Sequence, residues 1–104
     1  MKLVEFDKLL EKEIPILIDF YSTTCDPCKW LLPILAEVET HFQQRLKVIK
    51  INVEQSTELA HQFDIRSVPT LILIKNKQPL WRIAGFDTAP VMIKIIEELL
   101  RIKE

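Results

Sequence analysis

The hydrophobic positions of the chain switch repeatedly between a helical period and compact strand-like runs. Segments in which apolar residues recur at helical spacing predict helices over residues 6–13, 28–44, 56–63 and 87–103. Short apolar runs between turn residues predict buried strands over residues 16–21, 46–53, 70–74 and 80–84. The resulting order, α-β-α-β-α-β-β-α, predicts parallel crossovers in the first part of the sheet and a hairpin in the last.

The last helix carries more apolar residues than one buried stripe requires. They cover about 200° of its circumference, whereas a core-facing stripe needs roughly 100°. Two interpretations remain open for the excess. Either the helix is deeply buried along its edges, or a surface around Ile93 and Leu100 binds a partner.

Composition excludes several classes of function. The 104 residues, 48% of them apolar, are enough for one domain with a real core. The 14 basic and 15 acidic residues nearly balance, so no nucleic-acid or anionic-membrane partner is expected. No apolar run approaches the roughly 18 residues of a membrane span. Because the first residues lack the apolar block of a secretory signal, we expect a cytoplasmic protein.

Two cysteines, Cys25 and Cys28, lie between the first predicted strand and the second predicted helix. A dithiol at this spacing can close into a small disulfide ring and reopen, which transfers two electrons. In a reducing compartment such a pair is more often redox-active or metal-binding than structural. The candidate chemistry is therefore either thiol–disulfide exchange or metal binding.

A zinc site is the main alternative, because Cys25, Cys28 and His41 have the spacing of the first three ligands of a zinc finger. His61 is too far along the chain to be the fourth ligand, and the helix places His41 roughly 20 Å from Cys28. An iron–sulfur cluster shared by two chains, with two cysteines from each, is a further alternative. We interpret both histidines as solvated helix residues and expect neither a metal nor another cofactor.

The segment Asp19–Lys29, followed by Pro33, resembles the active-site segment of the thioredoxin family. The resemblance continues through Lys50–Glu54 and Ile65–Thr70, and then at Gly85 before the last helix. It implies a thioredoxin-like α/β fold with a central mixed sheet of about four strands flanked by helices. The first strand of the family has no counterpart here, so the Leu46–Val53 strand is expected at an edge of the sheet.

The resemblance also assigns roles. It implies that Asp19 is a buried acid that exchanges a proton with Cys28, with Lys50 nearby, although an acid that merely reaches solvent is the alternative. It implies a cis-proline at Pro69, beside the cysteines, where the backbone of Val68 binds an extended substrate. An ordinary trans proline at the start of a strand is the alternative there.

The electrostatics of a helix start predicts which of the two thiols is the more reactive. Cys25 is expected at the start of a helix, where free backbone N–H groups and the helix dipole lower the pKa of a thiol. Cys25 would attack a substrate disulfide, and Cys28, one turn further and more buried, would resolve the mixed disulfide. Pro27 suits the first helical turn and stiffens the ring.

Two residues depart from the family pattern: Thr24 replaces a tryptophan and Asp26 replaces a glycine. A carboxylate beside Cys25 opposes the helix dipole, which raises the pKa of the thiol and favours a stronger reductant. Lys29 offsets part of that charge. Trp30, two residues past Cys28, either lines the substrate groove or packs against the protein.

These observations favour a protein-disulfide reductase that acts on disulfide-containing proteins and is recycled by a thioredoxin-reductase-like electron donor. We expect a monomer, and the Leu46–Val53 edge strand is where a dimer would form. The alternative is a binding or adaptor module with the same fold and weak or no general reductase activity. Retention of Asp19, Lys50 and Pro69 favours the enzyme, because a pure scaffold needs none of them.

Overall fold

The structure is a computed structural model that describes the backbone of residues 1–103 and the side chains as far as Arg101. It contains the helices α1 Leu3–Leu10, α2 Asp26–Phe42, α3 Thr57–Gln62 and α4 Ala89–Lys103, and a short 3-10 turn at Gln43–Arg45. The strands are β1 Ile16–Tyr21, β2 Lys47–Asn52, β3 Thr70–Lys75 and β4 Gln78–Ala84. The predicted order of elements is confirmed.

The four strands form one mixed sheet in the order β2-β1-β3-β4. β1 and β2 are parallel, as a helical crossover requires, and β3 pairs antiparallel with both β1 and β4. The register of the parallel pair places Asp19 opposite Lys50. Within residues 1–103, β2 and β4 are the edge strands.

Alternation along the strands gives each face of the sheet its own core. Leu17, Leu71 and Leu73 pack with the inner sides of α2 and α4. On the other face of the sheet, Ile18 and Phe20 of β1 pack with α1 and α3. Asp19 has the parity of Leu17, so its side chain projects toward the α2 face.

No helix within residues 1–103 is long and apolar enough to span a membrane.

Two of the excess apolar residues of α4 are accounted for by packing, whereas Val91 is 42% exposed. Ile93 and Leu100 are half-buried and pack against the core that α2 and α4 share. This favours deep burial of the helix over a partner surface at these residues.

Contact between α2 and α4 gives one of the two histidines a partner. His41 is exposed, as expected, and its Nε2 lies 2.5 Å from Oε1 of Glu97, so it also hydrogen-bonds to α4. This hydrogen bond lowers the pKa of Glu97 below its ordinary value. His61 is exposed, as expected.

The first helix begins and ends three residues earlier than the hydrophobic period predicted. Phe6 is fully buried near its centre, with its ring edge-on to Phe63 at a centroid distance of 5.5 Å. The amino group of Met1 donates to the hydroxyl of Ser56 at 2.8 Å, which fixes the start of the helix beside α3. Because this anchor is a tertiary contact, the local sequence pattern does not reveal it.

Candidate active site

The two cysteines lie at the start of α2 and form a disulfide with a Cα–Cα distance of 5.3 Å. Cys25 is the N-cap residue, in an extended conformation, and the helix begins at the next residue. The backbone N–H of Cys28 donates to Sγ of Cys25 at 3.1 Å. Pro27 lies in the first turn, where its missing N–H removes no helical hydrogen bond. A thiolate at Cys25 would therefore be stabilised by the free N–H groups of the helix start.

The two sulfur-bearing side chains differ in burial in the predicted direction. Cys25 is 9% exposed and Cys28 is 4% exposed. Cys28 is thus the more buried residue of the pair.

Behind the disulfide, a cleft of about 400 Å³ brings together three of the predicted site residues, Asp19, Cys28 and Lys50. Asp19 comes from β1, Cys28 from α2 and Lys50 from β2, so the parallel crossover is what assembles the group. The other lining residues are Tyr21 at the end of β1, Ser22 and Thr23 in the β1–α2 connection, and Lys29 and Leu32 in the first turns of α2.

The carboxyl group of Asp19 is the most perturbed titratable group of this cleft. It is 1% exposed, and neither oxygen has a hydrogen-bond partner among the described residues. Burial raises the pKa of Asp19 from 3.8 to about 6, while the positive charge of Lys50 acts in the opposite direction. A carboxyl group with a pKa near 6 can both accept and release a proton close to neutral pH.

The loop before the dithiol is held by polar residues to which the sequence had assigned no role. The hydroxyl of Ser22 accepts the backbone N–H of Thr24 at 3.2 Å. The backbone N–H of Thr23 donates to Glu54 at 3.4 Å, and the backbone N–H of Glu54 donates to Asn52 at 2.8 Å. The available signal was topological, because parallel β1 and β2 end at the same edge of the sheet and bring residues 22–24 beside residue 54.

The charged residues around Cys25 are largely in solvent. Asp26 and Lys29 form an ion pair with a Nζ–Oδ1 distance of 3.7 Å, and their side chains are 76% and 66% exposed. The ion pair and the solvent both weaken the field of Asp26 at the thiol. The ion pair places Lys29 where it can offset part of the charge of Asp26, and its effect on the thiol stays a prediction.

The remaining candidate residues lie outside the cleft lining. Thr24 is exposed, and Trp30, 63% exposed, does not pack into the core. The Val68–Pro69 peptide bond is cis, as the resemblance implied. Val68 is half-buried and Pro69 buried, directly before β3.

Metal-binding geometry is not found in the described part of the chain. No group of three or more His, Cys, Asp or Glu side chains within residues 1–103 is arranged to hold a metal ion. His41, the proposed third ligand, contacts Glu97 from the last two turns of α2, far from its first.

Comparison with known proteins identifies the family. The thioredoxin family profile matches residues 1–98. This chain belongs to the thioredoxin family. It is 42% identical to chloroplastic thioredoxin Y of Oryza sativa subsp. japonica over 98 residues, which cover 93% of this chain and 58% of the rice protein. The chain thus spans little more than half the length of that relative.

Another relative is matched over more of its own length, and a further one joins a thioredoxin to a reductase in its name. The thioredoxin-like protein slr0233 of Synechocystis sp. is 40% identical over 80% of this chain and 79% of its own length. The bifunctional thioredoxin reductase/thioredoxin of Mycobacterium leprae is 33% identical over 91% of this chain and 21% of its own length. The solved structure of chloroplastic thioredoxin z superimposes with a TM-score of 0.86 at 25% identity, over 97% of this chain and 92% of that chain.

Replacement of Asp19 by asparagine should stabilise the oxidised chain in a pH-dependent way. Because the folded-state pKa, about 6, exceeds the ordinary value of 3.8, the native state binds this proton more tightly than the unfolded state. Stability of the wild type should therefore fall as the pH rises from about 4 to 6, by roughly 2–3 kcal/mol. Asp19→Asn removes this loss, so its advantage in the free energy of unfolding should be absent near pH 4, grow between about pH 4 and 6, and be complete above about pH 6.

Urea unfolding of both chains at pH 4 and pH 8 measures this difference. Asp7→Asn, at an exposed position of α1, is the matched control and should show no such dependence. An Asp19→Asn advantage that is equal at the two pH values would contradict the assigned burial cost.

Proposed function

We propose that this chain is a thioredoxin-type protein-disulfide reductase that works through Cys25 and Cys28. The observation that carries the proposal is the cleft that the buried carboxyl group of Asp19 lines together with Cys28, the second cysteine of the pair at the start of α2. A domain that only binds a partner has no need of a titratable, desolvated carboxyl group at this position, which costs stability. Family membership supports the same activity.

The first step is attack by the thiolate of Cys25 on one sulfur of a substrate disulfide. A bond forms between Sγ of Cys25 and that sulfur, and the other substrate sulfur leaves as a thiolate. The free N–H groups at the start of α2, including that of Cys28, stabilise the attacking thiolate.

In the second step, the ionised carboxylate of Asp19 takes the proton of the Cys28 thiol. The Cys28 thiolate then attacks Sγ of Cys25, which releases the reduced substrate and leaves the Cys25–Cys28 disulfide seen in the structure. Two electrons have passed from the dithiol to the substrate. Lys50, across the strand pair from Asp19, favours the ionised form of the acid that this step requires.

The next turnover requires a donor of two electrons, for which we propose a flavin-dependent reductase of the thioredoxin-reductase type. The relative from Mycobacterium leprae, in which a thioredoxin and its reductase are one chain, supports this kind of donor. Asp26 and Pro27 tune the potential of the pair: the carboxylate destabilises the reduced thiolate, and the ring of Pro27 restricts the dithiol loop.

For the substrate, we propose an extended segment that lies against Val68–Pro69 and the exposed side chains of Thr24 and Trp30. The half-buried Val68, held before a cis-proline, offers backbone groups to such a segment. Because Thr24 provides no aromatic surface beside Cys25, Trp30 is the exposed aromatic of the dithiol helix available for apolar contact.

The direct test is dithiothreitol-driven reduction of insulin by the intact chain and by Cys25→Ser. The intact chain should accelerate precipitation of the insulin B chain, and the variant should lose that acceleration because no thiolate remains at the helix start. Cys28→Ser should instead accumulate a mixed disulfide through Cys25. If the intact chain gives no acceleration, general reductase activity is excluded and the adaptor function takes its place.

We further propose that the chain acts as a monomer. The N–H groups of Lys47 and Val53 donate toward the β1 side, so by alternation the backbone groups of Val48 and Lys50 point away from the sheet. Lysines at residues 47 and 50 protect this edge from pairing with a second chain. Sedimentation equilibrium at high protein concentration should give the monomer mass of 12.2 kDa, and a dimer would point to pairing through β2.

A further inference from the structure

One arginine from the edge strand β4 holds the end of α3. The guanidinium group of Arg82 donates from Nη1 to the carbonyl oxygen of Phe63 and from Nη2 to that of Asp64, the latter at 2.6 Å. α3 ends at Gln62, so these are the first two carbonyl groups beyond the helix. The planar fork of an arginine suits two adjacent acceptors in a way that the single ammonium of a lysine does not.

The backbone conformation at the end of α3 explains why hydrogen bonds from outside the helix stabilise it. Asp64 has a φ of 52°, in the left-handed region that glycine usually occupies after a helix. The N–H of Ile65 donates back to the carbonyl of Ala60 at 2.9 Å, which closes the last turn. The two carbonyls bound by Arg82 are not used by this turn, and the arginine stabilises a left-handed residue that lacks the freedom of glycine.

The segment that follows, residues 65–68, leads directly to the cis peptide bond before Pro69. Its far end is held by two further hydrogen bonds. The hydroxyl of Thr70 donates to the carbonyl of Ser67, and the N–H of Gly85 donates to the carbonyl of Pro69, both at 2.8 Å. Arg82 and Gly85 are three residues apart at the end of β4, so this strand end holds both ends of the segment.

We propose that Arg82 is a positioning residue for substrate binding. By fixing the carbonyls of Phe63 and Asp64, it fixes the path of residues 65–68 and thus the place of the Val68 backbone groups that an extended substrate pairs with. The inference rests on the proposed disulfide-reductase function, and it adds to it a residue on the opposite edge of the sheet from β2.

Other contacts confine the effect of Arg82 to this segment. Phe63 is held independently by ring contacts with Phe6 and Phe20, at centroid distances of 5.5 and 5.6 Å. The remaining ionic contact of the segment, between Arg66 and the carboxylate of Asp64 at 3.1 Å, is largely in solvent and contributes little order. Loss of Arg82 should therefore leave α3 in place and loosen the residues that follow it.

The test is steady-state insulin reduction by Arg82→Met, Arg82→Lys and the wild type. The three proteins are compared at equal concentrations of the reduced Cys25–Cys28 pair, determined by thiol titration. Arg82→Met should raise KM about three- to tenfold and change kcat by less than about twofold, because it weakens substrate binding without altering the dithiol. Arg82→Lys, which can reach one carbonyl, should give an intermediate KM. Arg45→Met is the control, because Arg45 also donates to a backbone carbonyl, that of His41, but at the other end of α2.

Amide hydrogen exchange of the same proteins supplies the structural readout. In Arg82→Met, protection should fall at residues 65–68 and stay unchanged in α2 and β1. If the wild type is active and Arg82→Met has the same KM, the positioning role is overturned. A fall in kcat of Arg82→Met that accompanies a loss of protection throughout the chain overturns it as well. If the wild type itself does not reduce insulin, the proposed function fails, and the positioning role fails with it. All variants are then equally inactive, which distinguishes this result from failure of the positioning role alone, in which the wild type is active.

Discussion

The site depends on one constraint, the burial of an ionisable carboxyl group in the middle of an apolar strand. Asp19 lies among Ile16, Leu17, Ile18 and Phe20, and no described side chain or backbone group hydrogen-bonds its oxygens. Removing a carboxylate from water without such partners disfavours its charged form, which is why its pKa rises to about 6. The native state therefore carries a cost near neutral pH that a leucine at this position would not impose.

The rest of the architecture determines what this acid can do. Parallel pairing of β1 with β2 places Lys50 across from it, and the β1–α2 connection returns the chain so that Cys28 borders the same cleft. The lysine moderates the penalty on the charged form and keeps the pKa within reach of neutral pH. Cys25 is the N-cap of α2, where free backbone N–H groups surround its sulfur. The two thiols thus meet different electrostatic surroundings although they are separated by only one helical turn.

Much of this arrangement could be predicted because it is encoded locally. Strand runs and helical periods gave the order of elements, and the apolar run around Asp19 marked a buried acid before any contact was known. The position of Cys25 at the start of a helix followed from the strand and helix that flank it. The family resemblance implied that Lys50 lies near Asp19, and the strand register, which pairs the two residues, confirms this.

What escaped prediction consists of contacts between distant parts of the chain. The Met1–Ser56 contact ties the chain before α1 to the start of α3, and the His41–Glu97 contact joins α2 to α4. The Arg82 contacts at the end of α3 belong to the same class, since β4 follows α3 by a strand and two turns. Asp64 and Lys77 also adopt left-handed conformations without being glycine. Aspartate tolerates this conformation better than most residues, whereas lysine gives no such signal. Contacts of this kind are set by the fold as a whole.

The central claim is that Asp19 accepts the proton of Cys28 when the mixed disulfide is resolved. The most direct measurement is the single-turnover rate of that resolution, from a mixed disulfide formed on Cys25, as a function of pH. In the wild type the rate should rise with pH through an inflection near 6, and Asp19→Asn should slow it about 10²-fold and remove the inflection. A rate in Asp19→Asn that equals the wild-type rate across the pH range would contradict the account.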